Sequence, residues 1–327
     1  MKLRAGRLRR TLLAALVAGA VVVPVSAAAR PQVPAPAPAD IPPLTAATLD
    51  TAYDANRANA AEAAEMAERY GDRDRAARLR AMAGQERNFL SFDGRGAGRT
   101  AEVLGDLAAA ERVAVLVPGS DTGIDTYGRF RAGAVALHER LGPRAAVVAW
   151  LGYETPGTVS PAVLTTDRAE EAAPELRAFV GELNDVNPGA RLSLLCHSYG
   201  SVVCGRAAAQ GAQGSQGPQG LEVDDIALYG SPGVGVDRAA DLKSRTHTRI
   251  WAGRGADDWI SDVPHSSVGL FGTTVGFGTD PVSPGFGARV FPAGDGGHSD
   301  YLKPGSVALD SLARIVRGQS PEGASHA

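Results

Sequence analysis

The sequence predicts an α/β protein in which helices cover both faces of a mostly parallel sheet. From Arg112 onward, short and almost wholly apolar runs alternate with longer amphipathic stretches. The apolar runs lack the alternation of a half-exposed strand, and this is typical of strands buried on both faces. Hydrophobic residues make up 44% of the 327 residues and charged residues 21%. The chain can therefore bury a core for one large domain or two small ones.

Each element of the predicted sheet follows from its local pattern, with apolar runs as strands and amphipathic stretches as helices. Loops at the carboxyl ends of parallel strands are where binding and catalytic sites form, so the residues that follow each strand are candidates for a functional site. The predicted strands are Val113–Val117, Ala145–Leu151, Leu192–Cys196, Ile226–Tyr229 and Arg249–Ala252, and the predicted helices are Tyr127–Leu141, Ala169–Asn187, Tyr199–Gln210 and Val307–Val316.

The first 29 residues have the layout of a secretory signal peptide. Five basic residues between Lys2 and Arg10 precede the uncharged run Thr11–Val25, and Ser26–Ala29 offers small residues for cleavage. Cleavage after Ala29 would change the balance from 33 basic and 36 acidic residues to 28 basic and 36 acidic. We therefore expect a secreted, extracellular and acidic protein, with an N-terminal membrane anchor as the alternative.

The remaining chain divides by composition. Residues 30–43 are a Pro/Ala linker that we expect to be extended and unpacked. Residues 44–93 are rich in Ala, Glu and Arg and predict two or three helices, broken near Gly71, that pack on the main domain as an N-terminal appendage. The main domain is predicted over residues 94–318, and residues 319–327 are predicted to be a disordered tail.

A sharp turn between a predicted strand and a predicted helix places a serine at its apex. The sequence from Cys196 to Gly200 matches the G-x-S-x-G nucleophile elbow, except that Cys196 replaces the first glycine. Such a turn exposes Ser198 Oγ and places the Tyr199 N–H at a helix N-terminus, where it can donate to an oxyanion. His197 is predicted to shape the pocket. An ordinary serine that caps the helix is the alternative.

Two later loops provide partners for this serine, which needs a base and an acid that orients the base. Asp257 and Asp258 follow the strand predicted at Arg249–Ala252, and His298 precedes the last helix. The order Ser, Asp, His is the one found in α/β-hydrolases. Asp258 is preferred because Trp and Ile follow it, and Asp257 is the alternative acid.

A second oxyanion donor is predicted in the loop after the first strand of the main domain. Gly119 allows the backbone to turn its N–H groups inward, and the N–H of Ser120 or of Asp121 is the candidate donor. A tight turn without a catalytic role is the alternative. No Gly-Lys-Ser/Thr sequence follows, so a phosphate loop is not indicated.

Several segments together resemble an actinobacterial family of secreted α/β-hydrolases that was long known only as a domain of unknown function. They are Asn88–Asp93, Val117–Gly119, His197–Ser201, Ser231–Gly233, Asp258 and His298–Tyr301. The resemblance covers most of the chain from Leu44 to Gly318. It implies the α/β-hydrolase fold and a catalytic triad of Ser198, His298 and Asp258, but no particular substrate. The sequence departs from the family at Cys196, where glycine is usual.

The two cysteines of the chain flank the candidate nucleophile. Cys196 ends the strand and Cys204 lies on the helix packed against it, so a disulfide is possible in an exported chain if the Cα atoms come within about 7 Å. Two buried thiols are the alternative. Two cysteines cannot form a four-cysteine zinc site, and we expect neither a metal nor a cofactor. The acidic balance also argues against a nucleic-acid partner.

We expect a serine hydrolase that cleaves carboxylic esters through an acyl-enzyme. The expected substrate is a small-molecule or lipid-like acyl compound, and the mature chain is expected to have no stable membrane span. Residues 266–287, with Tyr127, Tyr153, Trp259 and Tyr301, are predicted to form an apolar acyl pocket, and a cover over the edge of the sheet is the alternative for the same residues. The alternatives are an amidase or peptidase, an envelope acyltransferase, and a catalytically silent binding protein. No oligomeric state is predicted.

Overall fold

A computed structural model describes residues 32–209, 221–242, 247–263, 267–270 and 273–326. The predicted signal peptide, residues 1–29, lies outside the described residues. The strands are β1 (Asn88–Asp93), β2 (Arg99–Leu104), β3 (Arg112–Val117), β4 (Ala145–Leu151), β5 (Arg191–His197), β6 (Asp225–Tyr229), β7 (Arg249–Gly253), β8 (Ser267–Leu270), β9 (Thr273–Gly276), β10 (Arg289–Val290) and β11 (Ser325–His326). The α-helices are α1 (Leu49–Tyr70), α2 (Arg73–Met82), α3 (Tyr127–Leu141), α4 (Asp167–Val186), α5 (Tyr199–Ala209) and α6 (Val307–Val316).

Nine of these strands form one sheet in the order β1-β2-β4-β3-β5-β6-β7-β10-β11. All neighbours from β4 to β10 pair in parallel, whereas β1–β2, β2–β4 and β10–β11 pair antiparallel at the two edges. The predicted mostly parallel sheet is therefore confirmed. Strands β8 and β9 form a separate antiparallel hairpin.

The two faces of the sheet bury separate apolar cores. In β3, Val113, Val115 and Val117 belong to one core, and the alternating residues Ala114 and Leu116 belong to the other. This period of two is what a strand covered on both faces requires. Helices α4 and α5 cover the first face, and α2, α3 and α6 cover the second. The prediction of helices on both faces is confirmed.

The two N-terminal helices are separated where the sequence predicts a break. Helix α1 ends at Tyr70, and the φ of the next residue, Gly71, is 96°, in the left-handed region that glycine adopts readily. The side chain of Asp72 then accepts a hydrogen bond from the Arg75 N–H and begins α2. The Asn56 side chain donates to the Phe89 carbonyl at 2.9 Å, which joins α1 to strand β1.

Two predicted boundaries are wrong because the predicted appendage and the predicted tail each contribute a strand to the sheet. Residues 88–93, assigned to the helical appendage, form strand β1 and pair with β2. Residues 319–327 were expected to be disordered, yet Ser325 and His326 pair with Val290 and Arg289 as the edge strand β11. Strand pairing satisfies backbone groups at both edges, and this interaction is not visible in the local composition.

The described part of the Pro/Ala linker is extended but packed, so the expectation of an unpacked linker is wrong here. The Asn59 side chain donates to the Ala37 carbonyl at 2.6 Å. Val33 and Ala35 pack against the core that lies beneath α2, α3 and α6. The linker is therefore attached to the domain by apolar contacts as well as by a hydrogen bond.

Strand β2 carries a buried carboxylate, Glu102, with only 1% of its surface exposed. Arg87 donates to both of its oxygens, and Arg131 Nε and the Tyr127 hydroxyl each donate at 3.0 Å. A buried charge requires such partners, because an unpaired one is strongly destabilising. The cluster connects the residue before β1 with β2 and with α3.

The carboxyl ends of the central strands lie level with one another. Val117 pairs with Cys196, His197 pairs with Tyr229, and Tyr229 pairs with Gly253. The loops that follow β3, β5, β6 and β7 therefore meet above one edge of the sheet, where ligand sites form in such folds. Among the described residues, no helix combines the length and the apolar character needed to cross a bilayer.

Candidate active site

The turn between β5 and α5 holds Ser198 in a strained conformation. Its φ is 52°, a left-handed value that is unfavourable for a residue with a side chain, and its N–H donates to the Tyr229 carbonyl at 3.0 Å. Two glycines make the turn possible. A Cβ on Gly119 would lie 2.6 Å from Ser198 Cβ, and a Cβ on Gly200 would lie 2.5 Å from two backbone carbonyl oxygens at the end of β3. We call residues 196–200 the elbow.

A disulfide and a serine pair support the elbow from behind. Cys196 and Cys204 are joined, with their Cα atoms 6.5 Å apart, and both are fully buried. Ser201 Oγ donates to the Ser198 carbonyl at 2.5 Å and lies 2.6 Å from Ser231 Oγ. The Ser231–Gly233 motif therefore contacts the elbow through its serine. The sequence predicts no role for this motif.

The structure brings Ser198, His298 and Asp258 together in one chain of hydrogen bonds. His298 Nε2 lies 2.8 Å from Ser198 Oγ, and His298 Nδ1 lies 2.8 Å from Asp258 Oδ1. Asp258 is almost completely buried, whereas its neighbour Asp257 is exposed to solvent. Of the two acids left open by the sequence, Asp258 is the one that contacts the histidine.

Three hydrogen bonds fix the carboxylate of Asp258. Besides His298, the Ile260 N–H donates to Oδ1 at 2.9 Å and the Tyr301 hydroxyl donates to Oδ2 at 2.5 Å. Burial by itself would raise the pKa of Asp258, but these hydrogen bonds outweigh burial and hold the pKa below its usual value. Asp258 is therefore ionised at neutral pH and can orient His298.

One of the two predicted donors in the loop after β3 is already engaged. The Asp121 N–H donates to the Pro156 carbonyl at 3.0 Å, and the Asp121 carboxylate accepts from the Thr158 N–H. Asp121 is thus the wrong choice, because its N–H cannot also bind an oxyanion. The N–H groups of Ser120 and Tyr199 have no hydrogen-bond partner among the described residues, so these two can donate to a bound oxygen.

The predicted acyl pocket is largely wrong, because three of its four aromatic residues are buried with their hydroxyls bound inside the fold. Tyr127 donates to Glu102, Tyr153 donates to the Pro118 carbonyl at 2.6 Å, and Tyr301 donates to Asp258. Only Trp259 is half exposed, and its ring centroid lies 4.6 Å from that of His298. It provides an apolar surface beside the histidine. Part of the segment 266–287 lies outside the described residues.

Two further residues complete the network in ways that the sequence did not predict. Tyr301 Oη donates to Asp258 and accepts from the Gly255 N–H at 3.1 Å, and its pKa is raised by burial and then by Asp258. His197 Nε2 lies 2.8 Å from the His298 carbonyl oxygen. The position of Tyr301, three residues after His298, is the sequence feature from which its contact with the site could have been predicted. No sequence feature indicates the direction of the His197 side chain.

The arrangement can activate a hydroxyl and stabilise a developing negative charge. Ser198 Oγ is hydrogen-bonded to a histidine that an ionised carboxylate orients. The N–H groups of Tyr199, in the elbow, and of Ser120, in the loop after β3, have no partner among the described residues and can stabilise the charge. Within the part of the chain that the structure covers, no three His, Cys, Asp or Glu side chains come together as ligands for a metal ion.

Comparison with known proteins gives a matching family and several relatives. A family model described as alpha/beta hydrolase matches residues 93–268. The uncharacterized protein Rv2079 of Mycobacterium tuberculosis is 30% identical over an alignment 262 residues long, which covers 70% of this chain and 38% of that protein. The uncharacterized protein Mb0988c of Mycobacterium bovis is 32% identical over an alignment 152 residues long, which covers 42% of this chain and 54% of that protein. The chain thus spans about two fifths of the length of the first of these relatives.

Two of the solved structures that align with this chain are hydrolases. XC6422 of Xanthomonas campestris, described as a serine hydrolase without a lid, is 19% identical and aligns with a TM-score of 0.42 over 72% of this chain and 94% of that chain. Carboxyl esterase 2 of Tuber melanosporum is 12% identical, with a TM-score of 0.43 over 71% and 85% of the two chains. The family model matches more than half of the 327 residues and includes the elbow and the loop that carries Asp258. On this match, the protein belongs to the alpha/beta hydrolase family.

Proposed function

We propose that this protein is a serine hydrolase that cleaves carboxylic esters through an acyl-enzyme. The observation that carries the proposal is the continuous hydrogen-bonded chain from Ser198 through His298 to Asp258, with the serine at a strained elbow. Strain of this kind persists where the surrounding structure enforces it, and it is concentrated at functional sites.

In the proposed reaction, Ser198 Oγ attacks the acyl carbonyl while His298 Nε2 accepts the serine proton. Asp258 holds the proton on His298 Nδ1 and stabilises the imidazolium that forms. The oxyanion receives hydrogen bonds from the N–H groups of Tyr199 and Ser120. His298 then protonates the leaving alcohol. Water, deprotonated by the same histidine, attacks the acyl-enzyme and releases the acid and Ser198.

Carboxylic esters are the proposed substrates because they are intrinsically more reactive than amides. The half-exposed ring of Trp259 offers an apolar surface beside His298. A series of p-nitrophenyl esters of increasing acyl length, compared with the matching p-nitroanilides, tests this choice. We expect turnover of the esters and much slower turnover of the matching anilides. Equal or faster anilide turnover would favour an amidase instead.

Labelling with a fluorophosphonate tests the nucleophile and its partners. The probe should label the wild-type protein, and Ser198→Ala should abolish labelling. His298→Ala should lower the labelling rate by about a thousandfold, whereas the matched change of the exposed His247 to Ala should leave it unaltered. Asp258→Asn should likewise slow labelling while Asp257→Asn does not. Labelling that survives Ser198→Ala would remove the basis of the proposed function.

We further propose that the protein is exported and acts outside the cell. The N-terminal sequence pattern supports export, and the Cys196–Cys204 disulfide is of the kind that persists in oxidising compartments. N-terminal sequencing of protein recovered from the culture medium should give Arg30 as the first residue. Recovery of the uncleaved chain from the membrane fraction would favour the anchor instead.

A further inference from the structure

His197 directly precedes Ser198, but its side chain turns toward the loop that carries His298. Its Nε2 lies 2.8 Å from the His298 carbonyl oxygen, and its ring stacks on Tyr229 at a centroid distance of 5.1 Å. The proposed reaction assigns this residue no role. The sequence context suggested only that it shapes the pocket.

We propose that His197 is a positioning residue, an uncharged imidazole whose Nε2–H donates to the His298 carbonyl and holds the base against the elbow. This inference rests on the proposed function, since it explains how the base of that reaction is placed. His197 and Ser198 are neighbours in the chain, and each binds His298. His197 binds its backbone, and Ser198 binds its imidazole.

The loop around His298 has little regular secondary structure of its own. His298 lies between the two-residue strand β10 and helix α6, and Gly296 and Gly297 precede it. Glycines make the backbone locally permissive. Among the described residues, the hydrogen bond from His197 is the only one that the His298 carbonyl receives. Displacement of a reacting group by about 1 Å lowers a rate by about a hundredfold, so this contact bears directly on turnover.

The donor also has to be neutral. The carbonyl oxygen can only accept, so the proton of the neutral His197 ring lies on Nε2. The rings of His197 and His298 are 4.8 Å apart, and a charge on His197 would oppose the imidazolium that His298 forms during the reaction. The other titratable groups that face His197 are Asp258, Tyr229 and Tyr301. Burial and then the charge of His298 lower the pKa of His197 to about 3, although the hydrogen bond to the His298 carbonyl and the charge of Asp258 act in the opposite direction.

Glutamine and methionine at this position form a matched pair, because their side chains have nearly the same size and only glutamine can donate. We expect His197→Met to lower kcat by about tenfold to a hundredfold with KM changed less than about twofold. His197→Gln should recover kcat to within about threefold of wild type, because the amide nitrogen occupies the place of Nε2. The pH profile of kcat/KM between pH 5 and 8 should keep its shape in His197→Gln.

A merely structural role for His197 would lower the activity of both variants equally, together with their melting temperatures, and that result would overturn the inference. Wild-type kcat in His197→Met would overturn it as well. If the methionine variant fails to fold, a measurement on the wild-type protein tests the inference instead. Nitrogen-15 NMR of histidine-labelled protein should show the His197 ring protonated only on Nε2, without change from pH 8 to pH 5. A proton on Nδ1, or titration near pH 6.5, would contradict the inference.

The same measurements separate this inference from the proposed function. If Ser198→Ala keeps the esterase activity, the proposed function fails whatever the NMR spectrum shows. If Ser198→Ala abolishes the activity while His197→Met retains it, the proposed function stands and the positioning role fails.

Discussion

Removal of the Tyr301 hydroxyl should destabilise the protein and should do so in a pH-dependent way. In Tyr301→Phe the ring remains, but Asp258 Oδ2 loses its donor and the Gly255 N–H loses its acceptor. A hydrogen bond to a charged group contributes about 1.5–3 kcal/mol, and a buried group without a partner costs about 1–3 kcal/mol. Because phenylalanine fills the same space, no cavity adds to the loss. We expect the free energy of unfolding to fall by about 3 kcal/mol at pH 7.

The sign of the pH dependence follows from the carboxylate. Burial raises the pKa of Asp258, and the hydrogen bonds from His298, Tyr301 and Ile260 lower it further than burial raises it. A carboxyl group with a lowered folded-state pKa stabilises the protein above its unfolded pKa of about 3.9, and this contribution is lost as the pH falls through the folded pKa. Without the tyrosine hydroxyl the pKa of Asp258 moves back up. The deficit of Tyr301→Phe should therefore be largest at neutral pH and should shrink below about pH 4.

Urea denaturation of wild type and variant at pH 7 and at pH 3.5 measures both effects. The matched control is Tyr229→Phe. The Tyr229 ring is also buried, with its centroid 5.2 Å from that of Tyr301, but its hydroxyl makes no hydrogen bond with the described residues. We expect the control to lose less than about 0.5 kcal/mol. Equal losses in the two variants, or a Tyr301→Phe deficit that does not depend on pH, would refute the reasoning.

Three further changes have defined outcomes. In Gly119→Ala the new Cβ would lie 2.6 Å from the Cβ of the elbow serine, so kcat/KM should fall by about a hundredfold. Gly157→Ala, whose Cβ meets no atom closer than 3.6 Å, is its control, and equal activities would contradict the steric argument. Replacing Cys196 and Cys204, eight positions apart, by alanine should lower the free energy of unfolding by about 2–3 kcal/mol. Urea denaturation of the double variant and of the reduced wild type should agree, and an unchanged midpoint would contradict the estimate. Finally, burial lowers the pKa of His197 to about 3, so below about pH 6.5 the unfolded chain binds a proton that the native state does not. As the pH falls below this value, the free energy of unfolding of wild type should decrease by about 1.4 kcal/mol per pH unit relative to that of His197→Gln. Equal slopes of the two proteins in urea denaturation at several pH values would contradict this prediction.

The centre of the sheet could be predicted from the sequence because its strands are continuous apolar runs. The strands at the edges of the sheet could not be predicted in this way. Strand β2 contains Glu102, and a charged residue in the middle of a strand hides the pattern unless its partner Arg87 is known. Strands β10 and β11 have two residues each, too few for any periodicity, and they exist because they pair with each other and with β7.

In the candidate site, too, the residues with a local sequence pattern could be predicted, and the contacts that depend on distant parts of the chain could not. Ser198, Asp258 and His298 could be selected because each has a recognisable local context and their order in the chain is informative. The choice between the Ser120 and Asp121 N–H groups depends on a carbonyl in the loop after β4, which no local pattern specifies. The direction of the His197 side chain depends similarly on a loop about a hundred residues later in the chain.

The buried carboxylate of Glu102 determines where this protein can be divided. A fragment that begins at residue 94 would retain Glu102 but lose Arg87, which donates to both carboxylate oxygens. It would also lose β1 and leave β2 as an uncovered edge, a surface on which chains associate. We therefore expect the N-terminal segment to belong to the smallest unit that folds on its own, and a hydrolase fragment trimmed to residues 94–318 should aggregate on expression.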